Sequence, residues 1–390
     1  MNNQHHMASI VSLTPPCPSG ALQPVTRMPW FRGLSRSAWW VVLLIGFPTV
    51  PRSSAELPSR VTRDMPPRKV IVGTVQQSFW GTYPGLQKRL EQLGDIVDQM
   101  NSSARKQYQR SVDLAVLPET ALTDIGAKSV REQSVPFEGK VQTYFAEKAR
   151  QHGCYIVVPM HLLDDRDRGH CSNAALLVDR TGKLVGTYRK MHVVPNYSGD
   201  KVNFEGGLTL GTHAPVFECD FGRVGMQICF DMSFETGWDE LARQGADLVV
   251  WPTQSPQTGA PAARARKHGF YIVSSTWRNN ASIFEPTGKI TAQVRPPQSI
   301  LVQELDLSYV VLPWSSELEN GRAFTKRYGN RVGYRYYEDE DLGIFWSNDP
   351  HQTIGQMARE LGIMPEKEYY KQVRQTYDQA RRKHKRSAQP

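Results

Sequence analysis

In Gly222-Arg223-Val224-Gly225-Met226-Gln227-Ile228-Cys229-Phe230-Asp231-Met232-Ser233-Phe234, the apolar Val224, Met226 and Ile228 alternate with Gly225, Gln227 and Cys229. That period of two predicts a short, mostly buried strand. The period then changes. Phe234, Trp238, Leu241 and Ala242 recur at helical spacing, and Gly245 is placed to end the helix. Cys229 therefore falls where a strand gives way to a helix. A thiol at such a turn can face a pocket, and a helix N-terminus favours its thiolate. A lone cysteine in an apolar strand is more often a packing residue, so its meaning depends on what the other strands carry.

The same alternation of periods runs through the middle of the chain. Lys69 to Val75 reads as a strand, 83–110 as a helix through Leu86, Leu90, Leu93, Ile96, Val97 and Met100, and Asp113 to Thr120 as a buried strand ending at a proline and a carboxylate, Pro118-Glu119. A helix over 141–152 and a strand over 154–160 follow. Two hairpins are predicted, 174–178 with 184–188 and 282–284 with 290–294, each turning at a Thr-Gly pair. Between them lie a strand at 247–251, a helix at 262–268 and a strand at 271–275. Strands alternating with helices predict one α/β domain over 68–312, with helices covering sheets. Residues 314–350, rich in Tyr, Arg and acidic residues, read as irregular. Helices are expected at 353–361 and 366–385, within an extension over 313–390 that packs on the core or on a second subunit.

The ends differ from the middle. Residues 1–27 are polar and proline-containing, with no periodicity, and read as disordered. From Met28, a basic stretch with Arg32 and Arg36 precedes the apolar block Ala38 to Phe47 and the small residues Ser53-Ser54-Ala55. That order predicts a secretory signal over 28–55, followed by a linker over 56–67 and export of the protein. The alternatives are an uncleaved N-terminal anchor, the one route to membrane contact, and a cytoplasmic protein. The block is too short for a spanning helix of about 20 residues. Free thiols in an oxidising compartment weigh mildly against export.

The 390 residues carry a formal net charge of +9. Much of that excess lies in Arg381-Arg382-Lys383-His384-Lys385-Arg386, a solvated helix end with no nucleic-acid-binding motif around it. Five cysteines show no CxxC pairing, and the ten histidines are scattered, so no metal site is expected.

Three predicted strand ends present reactive groups: Glu119 after Leu117-Pro118, Lys190 in Tyr188-Arg189-Lys190-Met191-His192, and Cys229. Each alone has an ordinary explanation, as a loop carboxylate, a surface lysine and a core thiol. Together they supply a base, a cation and a nucleophile, the set that amide cleavage through a thioester requires.

These segments, in the order Glu, Lys, Cys, resemble the motifs of the carbon–nitrogen hydrolase (nitrilase) superfamily. The Gly211 loop ahead of Val216-Phe217, the Phe234-Glu235 pair and Asp247-Leu248-Val249-Val250-Trp251-Pro252 add to the resemblance, which spans about 68–312. It implies an α-β-β-α sandwich that assembles into a homodimer or higher homo-oligomer, acting on a small-molecule amide or carbamoyl substrate. It implies Cys229 as nucleophile and Glu119 as the base that then serves as acid, with no metal or organic cofactor needed. Lys190 and the backbone N–H of Phe230 are the implied oxyanion donors. Glu205 is the candidate second glutamate, and His192 a candidate for orienting the site by hydrogen bonding, with core packing as the alternative. Phe230-Asp231 after the cysteine matches the amidase and carbamoyl-hydrolase pattern rather than the Trp-Glu of nitrilases proper. Met232 and Ser233 stand where members acting on carboxylate-bearing substrates place an arginine, so a carboxylate clamp is absent or built elsewhere. The alternatives are an N-acyltransferase using the same acyl-cysteine and an inactive nitrilase-like interaction protein.

Overall fold

The computed structural model describes residues 64–126, 129–165 and 169–387; the segments read as a disordered N-terminus and a signal lie outside them. The chain opens with β1 (Lys69–Val75), α1 (Leu86–Tyr108), β2 (Leu114–Val116), the single turn α2 (Val130–Gln133) and α3 (Lys140–His152). Next come β3 (Tyr155–Asp165), β4 (His170–Val178), β5 (Leu184–Arg189), the hairpin β6 (Pro195–Ser198) and β7 (Lys201–Phe204), then β8 (Val216–Cys219) and β9 (Gly222–Met226). A 3-10 turn at Cys229–Ser233 leads into α4 (Thr236–Arg243). Then follow β10 (Leu248–Thr253), α5 (Gly259–His268), β11 (Tyr271–Thr276), β12 (Ala281–Phe284), β13 (Ile290–Val294) and β14 (Ile300–Asp306).

Two six-stranded sheets result, ordered β14-β1-β2-β3-β4-β5 and β13-β12-β11-β10-β9-β8. Each has a parallel centre, β1-β2-β3 in one and β9-β10-β11 in the other, flanked by antiparallel strands. Strands buried on both faces are rich in Val, Ile and Leu, which is why β10 reads Leu-Val-Val-Trp with no polar face. One face of the first sheet (Val70, Val72, Leu114, Val116, Val157, Leu177) shares a buried cluster with Met226, Val250 and Ile272 of the second. Its other face (Ile71, Ala115, Ile156, Leu176) packs on Leu90, Leu93, Val97 and Met100 of α1 and Phe145 of α3. Trp238 and Leu241 of α4 and Ala265 of α5 cover the second sheet. The layers are thus α-β-β-α.

The sheets are tied at both ends. Arg68 forks onto Asp247, with two bonds of 3.0 Å, joining the start of β1 to the start of β10. At the opposite end Thr74 Oγ1 donates to Ser274 O at 2.7 Å, and Ser275 Oγ donates to Val116 O at 3.0 Å. This second junction fixes the carboxyl ends of the parallel strands against each other. Ligands bind at such strand ends in α/β sheets.

The stretch 314–350 is not irregular. β15 (Tyr309–Pro313), α6 (Arg322–Tyr328), β16 (Val332–Tyr337) and β17 (Leu342–Ser347) build a three-stranded sheet ordered β15-β17-β16, with α7 (Ile354–Glu360) packed on it. The reason is visible in β16, Val-Gly-Tyr-Arg-Tyr-Tyr. Large half-buried side chains occupy both faces, so no polar–apolar alternation marks it as a strand. This small sheet lies on the main body. Arg335 of β16 donates to the buried Glu285 at 2.8 and 2.6 Å, and Arg266 of α5 pairs with Glu366 of α8 (Glu366–Ser387).

Candidate active site

Glu119 lies three residues beyond β2, Lys190 one beyond β5 and Cys229 three beyond β9, all at the carboxyl-end junction. The structure brings them together. Lys190 and Glu119 are almost fully buried, and Cys229 is partly exposed. Lys190 Nζ donates to Glu119 Oε1 at 3.1 Å and to Glu205 Oε1 at 2.8 Å. A buried ammonium loses hydration, but the carboxylates of Glu119 and Glu205 outweigh that loss and hold Lys190 protonated well above the usual lysine range. Glu205 therefore joins the group even though it lies on an exposed turn after β7. Val194 N–H fixes the same Glu205 oxygen at 3.0 Å.

Glu119 is held from several elements. Asn173 Nδ2 of β4 donates to Oε1 at 2.9 Å, and Gln254 N–H beyond β10 donates to Oε2 at 3.2 Å. Trp277 Nε1 grips the Glu119 carbonyl at 2.7 Å. Oε1 thus takes two strong donors, whereas Oε2 takes one long one.

Cys229 opens the 3-10 turn with φ 42, in the left-handed region that non-glycine residues rarely adopt. Thr120 (φ 50), Glu205 (φ 43) and Asn279 (φ 66) share that strain at or beside the same site. Strain held at a site of this kind is over-determined by what surrounds it. Here the surround is Asp231, fully buried beneath the turn. Its Oδ2 accepts from Ile228 N–H at 2.9 Å and Tyr188 OH at 2.7 Å. Its Oδ1 accepts from His192 N–H at 2.8 Å and lies 2.9 Å from His192 Nδ1. Trp251 Nε1 holds the Cys229 carbonyl at 3.1 Å.

The thiol is pushed up to about 12, first by burial and then by the neighbouring Glu119 carboxylate, with Lys190 opposing. Thr253 and the Gln254 backbone, beside the sulfur, also oppose that rise. Cys229 lines a cavity of about 280 Å³ together with Trp80, Gln254, Ser255 and Arg278.

His192 bonds Asp231 and stacks on Phe234 at 4.0 Å, so it supports the turn from below. Phe234 is not a core residue of the following helix, which begins at Thr236; it is partly exposed and serves as the stacking partner. Phe230 is the second residue of the 3-10 turn, where N–H groups lack partners inside the helix. Gly211 ties its loop to the site: its N–H donates to Lys190 O at 2.9 Å, and a Cβ there would lie 2.0 Å from Arg189 O.

Sequence reasoning missed Asn173, Thr253, Gln254, Trp277, Arg278 and His161. Asn173 carried a signal, a polar residue inside the apolar strand His-Cys-Ser-Asn-Ala-Ala-Leu-Leu-Val. His161 of β3 is buried beside Lys190 and Glu205, with Nδ1 unpartnered among the described residues. Burial foremost, with Lys190 adding, lowers it to about 4 against the pull of Glu205. Elsewhere Glu235, Asp239 and His268 place ligand-type atoms within 4.8 Å of one another, but Arg264 and Lys267 already pair with Glu235.

Two stacked mixed sheets between helices, with a lysine-clamped glutamate and a strained cysteine at their junction, define a class of hydrolase. The chain belongs to the carbon-nitrogen hydrolase family, whose model matches residues 72–312. It is 24% identical over 217 residues to a protein of Danio rerio named omega-amidase NIT2, covering 50% of this chain and 77% of that one. It is 33% identical over 175 residues to a nitrilase of Pyrococcus abyssi, covering 43% and 63%. The fold is that of Saccharomyces cerevisiae Nit3, a nitrilase-superfamily member, with a TM-score of 0.53 at 21% identity over 61% of this chain and 90% of that one.

Proposed function

We propose that the protein hydrolyses a linear amide or N-carbamoyl C–N bond through an acyl-cysteine at Cys229. The observation that carries this reading is the backbone N–H of Gln254, which donates at 3.2 Å to the less-bonded oxygen of Glu119, while Gln254 and Cys229 line the same cavity. Base and nucleophile are thereby held side by side. Because burial and Glu119 raise the thiol, a standing thiolate is disfavoured, and proton removal accompanies attack.

The thiol proton passes to Glu119 as sulfur bonds to the carbonyl carbon. Lys190 and the Phe230 N–H take the developing oxyanion, a donor of this kind contributing roughly 3–4 kcal/mol. Collapse breaks the C–N bond, Glu119 returns its proton to the departing nitrogen, and ammonia or an amine leaves. Water then gives a proton to Glu119 as its oxygen adds to the thioester. The C–S bond breaks, and the sulfur recovers that proton. Glu205 holds Lys190 in place at 2.8 Å and is the candidate to orient the attacking water. The relatives named omega-amidase and nitrilase support C–N chemistry of this type. The FD pair after Cys229, with Asp231 saturated by its own turn, favours an amide over a nitrile.

The test is ammonia release from a panel of primary amides, N-carbamoyl amino acids and nitriles. Wild type is expected to turn over members of the first two groups, and Cys229→Ala none, with an unchanged circular dichroism spectrum. Hydrolysis surviving in Cys229→Ala would rule the mechanism out.

A further inference from the structure

In the sequence, Arg381 to Arg386 reads as a solvated helix end, and the structure shows what that run is attached to. It closes α8, whose first turn is rooted in the body: Glu366 pairs with Arg266, and Lys367 Nζ donates to His268 O at 3.2 Å. From there the helix leaves its support. Every residue from Lys367 to His384 is exposed except the half-buried Val373. The exposed residues are not uniformly polar. Tyr369, Tyr370, Val373, Tyr377 and Ala380 recur at spacings of three and four, which places them along one face. The three tyrosines are 45%, 46% and 59% exposed in chain order, so large rings stand in water. A helix draws most of its stability from packing such a face, and among the described residues little covers this one.

Charge selects the partner. Beyond Glu368 the helix holds one acid, Asp378, against Lys371, Arg374 and the run from Arg381 to Arg386. At about 100° per residue, Arg374 and Arg381 flank the stripe on one side and Lys383 flanks it on the other. Arg381 lies over the Tyr377 ring at 5.9 Å, so cation and stripe are presented together. Two copies of α8 laid face to face, in either direction, would set basic side chains against basic ones, with a single Asp378 on each to offset them. A nucleic-acid backbone would answer the charge alone. An anionic lipid surface answers both features: the acyl boundary takes the apolar face, the headgroups take the flanking cations, and tyrosine suits the level between. Among the described residues no helix is long and apolar enough to cross a membrane, so such a helix lies along the surface. We propose that α8 docks the protein on an anionic lipid surface, with the tyrosine stripe inward and Arg374, Arg381 and Lys383 at the headgroups. This route to membrane contact is separate from the segment at 28–55. α8 is rooted beside His268, just before β11 begins, whereas Cys229 stands at the carboxyl ends of the strands. Docking and chemistry thus belong to opposite ends of the sheets.

The test uses the full chain with vesicles of phosphatidylcholine alone or mixed with phosphatidylglycerol, the partition coefficient being read by co-sedimentation. Wild type is expected to bind the mixed vesicles more tightly, and to lose that margin as salt rises. The triple variant Arg381→Gln, Arg382→Gln, Lys383→Gln should lower binding to the mixed vesicles roughly 100-fold. Arg381→Lys with Arg382→Lys should keep it, since a lipid surface reads charge rather than a fork. Tyr370→Ser with Tyr377→Ser should lower it roughly 10-fold and leave its salt dependence intact. Urea midpoints should match wild type throughout, because all five residues are exposed. No binding to the mixed vesicles, equal affinity for the two kinds, or Gln or Ser variants that bind as wild type does would overturn the proposal. So would a tyrosine variant that abolishes a dimer in light scattering while vesicle binding persists, which would assign the stripe to a second copy. Ammonia release is a separate readout, so failure of either reading leaves the other standing.

Discussion

Glu119 and Asp231 are both buried carboxylates within a few residues of a strand end, and they are treated in opposite ways. Asp231 has each oxygen matched to two groups, three of them backbone N–H or Tyr188 OH donors and the fourth His192 Nδ1. Nothing is left for a substrate. Glu119 is satisfied only on Oε1, by Asn173 and Lys190, while Oε2 has a single long contact from Gln254. One carboxylate is spent on holding a strained turn, and the other keeps an oxygen available beside the thiol. Burial alone does not separate a structural acid from a reactive one; the distribution of donors over the two oxygens does.

Exchanging each acid for its amide should separate the two roles. Glu119→Gln keeps the shape but cannot shuttle a proton. It should lower kcat by about 10²- to 10⁴-fold, with a smaller loss of stability than Asp231→Asn because Glu205 still pairs with Lys190. Asp231→Asn should do the reverse in kind. An amide offers one acceptor where four groups converge, so it should cost about 3 kcal/mol of folding stability, read from urea unfolding. Activity should then fall only as far as the Cys229 turn loosens. If Glu119→Gln proves mainly destabilising, or Asp231→Asn mainly catalytic with full stability, the distinction drawn here is wrong.

A smaller effect concerns His161, the neutral neighbour of the charged group. Its folded value of about 4 lies below the ordinary histidine value of 6.5, so the unfolded chain binds the proton first. The associated stability is therefore complete above pH 6.5 and is lost as pH falls from there toward 4. Between pH 6.5 and 5 the loss should be about 2 kcal/mol. His161→Gln should flatten that part of the stability–pH curve. An unchanged slope would mean that His161 is not kept neutral by its surroundings.

The sequence made the reactive groups legible because each sits where a hydrophobic run stops. Leu117-Pro118 precedes Glu119, β5 precedes Lys190 and β9 precedes Cys229. An α/β domain with helices covering sheets followed from the alternation of periods, and the α-β-β-α layering from the family resemblance. What stayed hidden depends on contacts between distant segments. Asn173 lies 54 residues from Glu119, Gln254 135 and Trp277 158, and no local pattern marks them as one site. Glu205 reaches Lys190 only because the β6–β7 hairpin folds its turn back. The three-stranded sheet of the extension escaped because β16 carries half-buried tyrosines and Arg335 on both faces, which erases the alternation by which strands are recognised.

Whether Glu119 and Cys229 make and break an acyl-cysteine is read by intact-protein mass spectrometry after rapid mixing with an amide substrate. The expected result is a mass increase equal to the acyl group, mapped by peptide digestion to Cys229 and absent in Cys229→Ala. Turnover of the same amide with no adduct at any time point in wild type or in slowed variants, or an adduct on another residue, would contradict it.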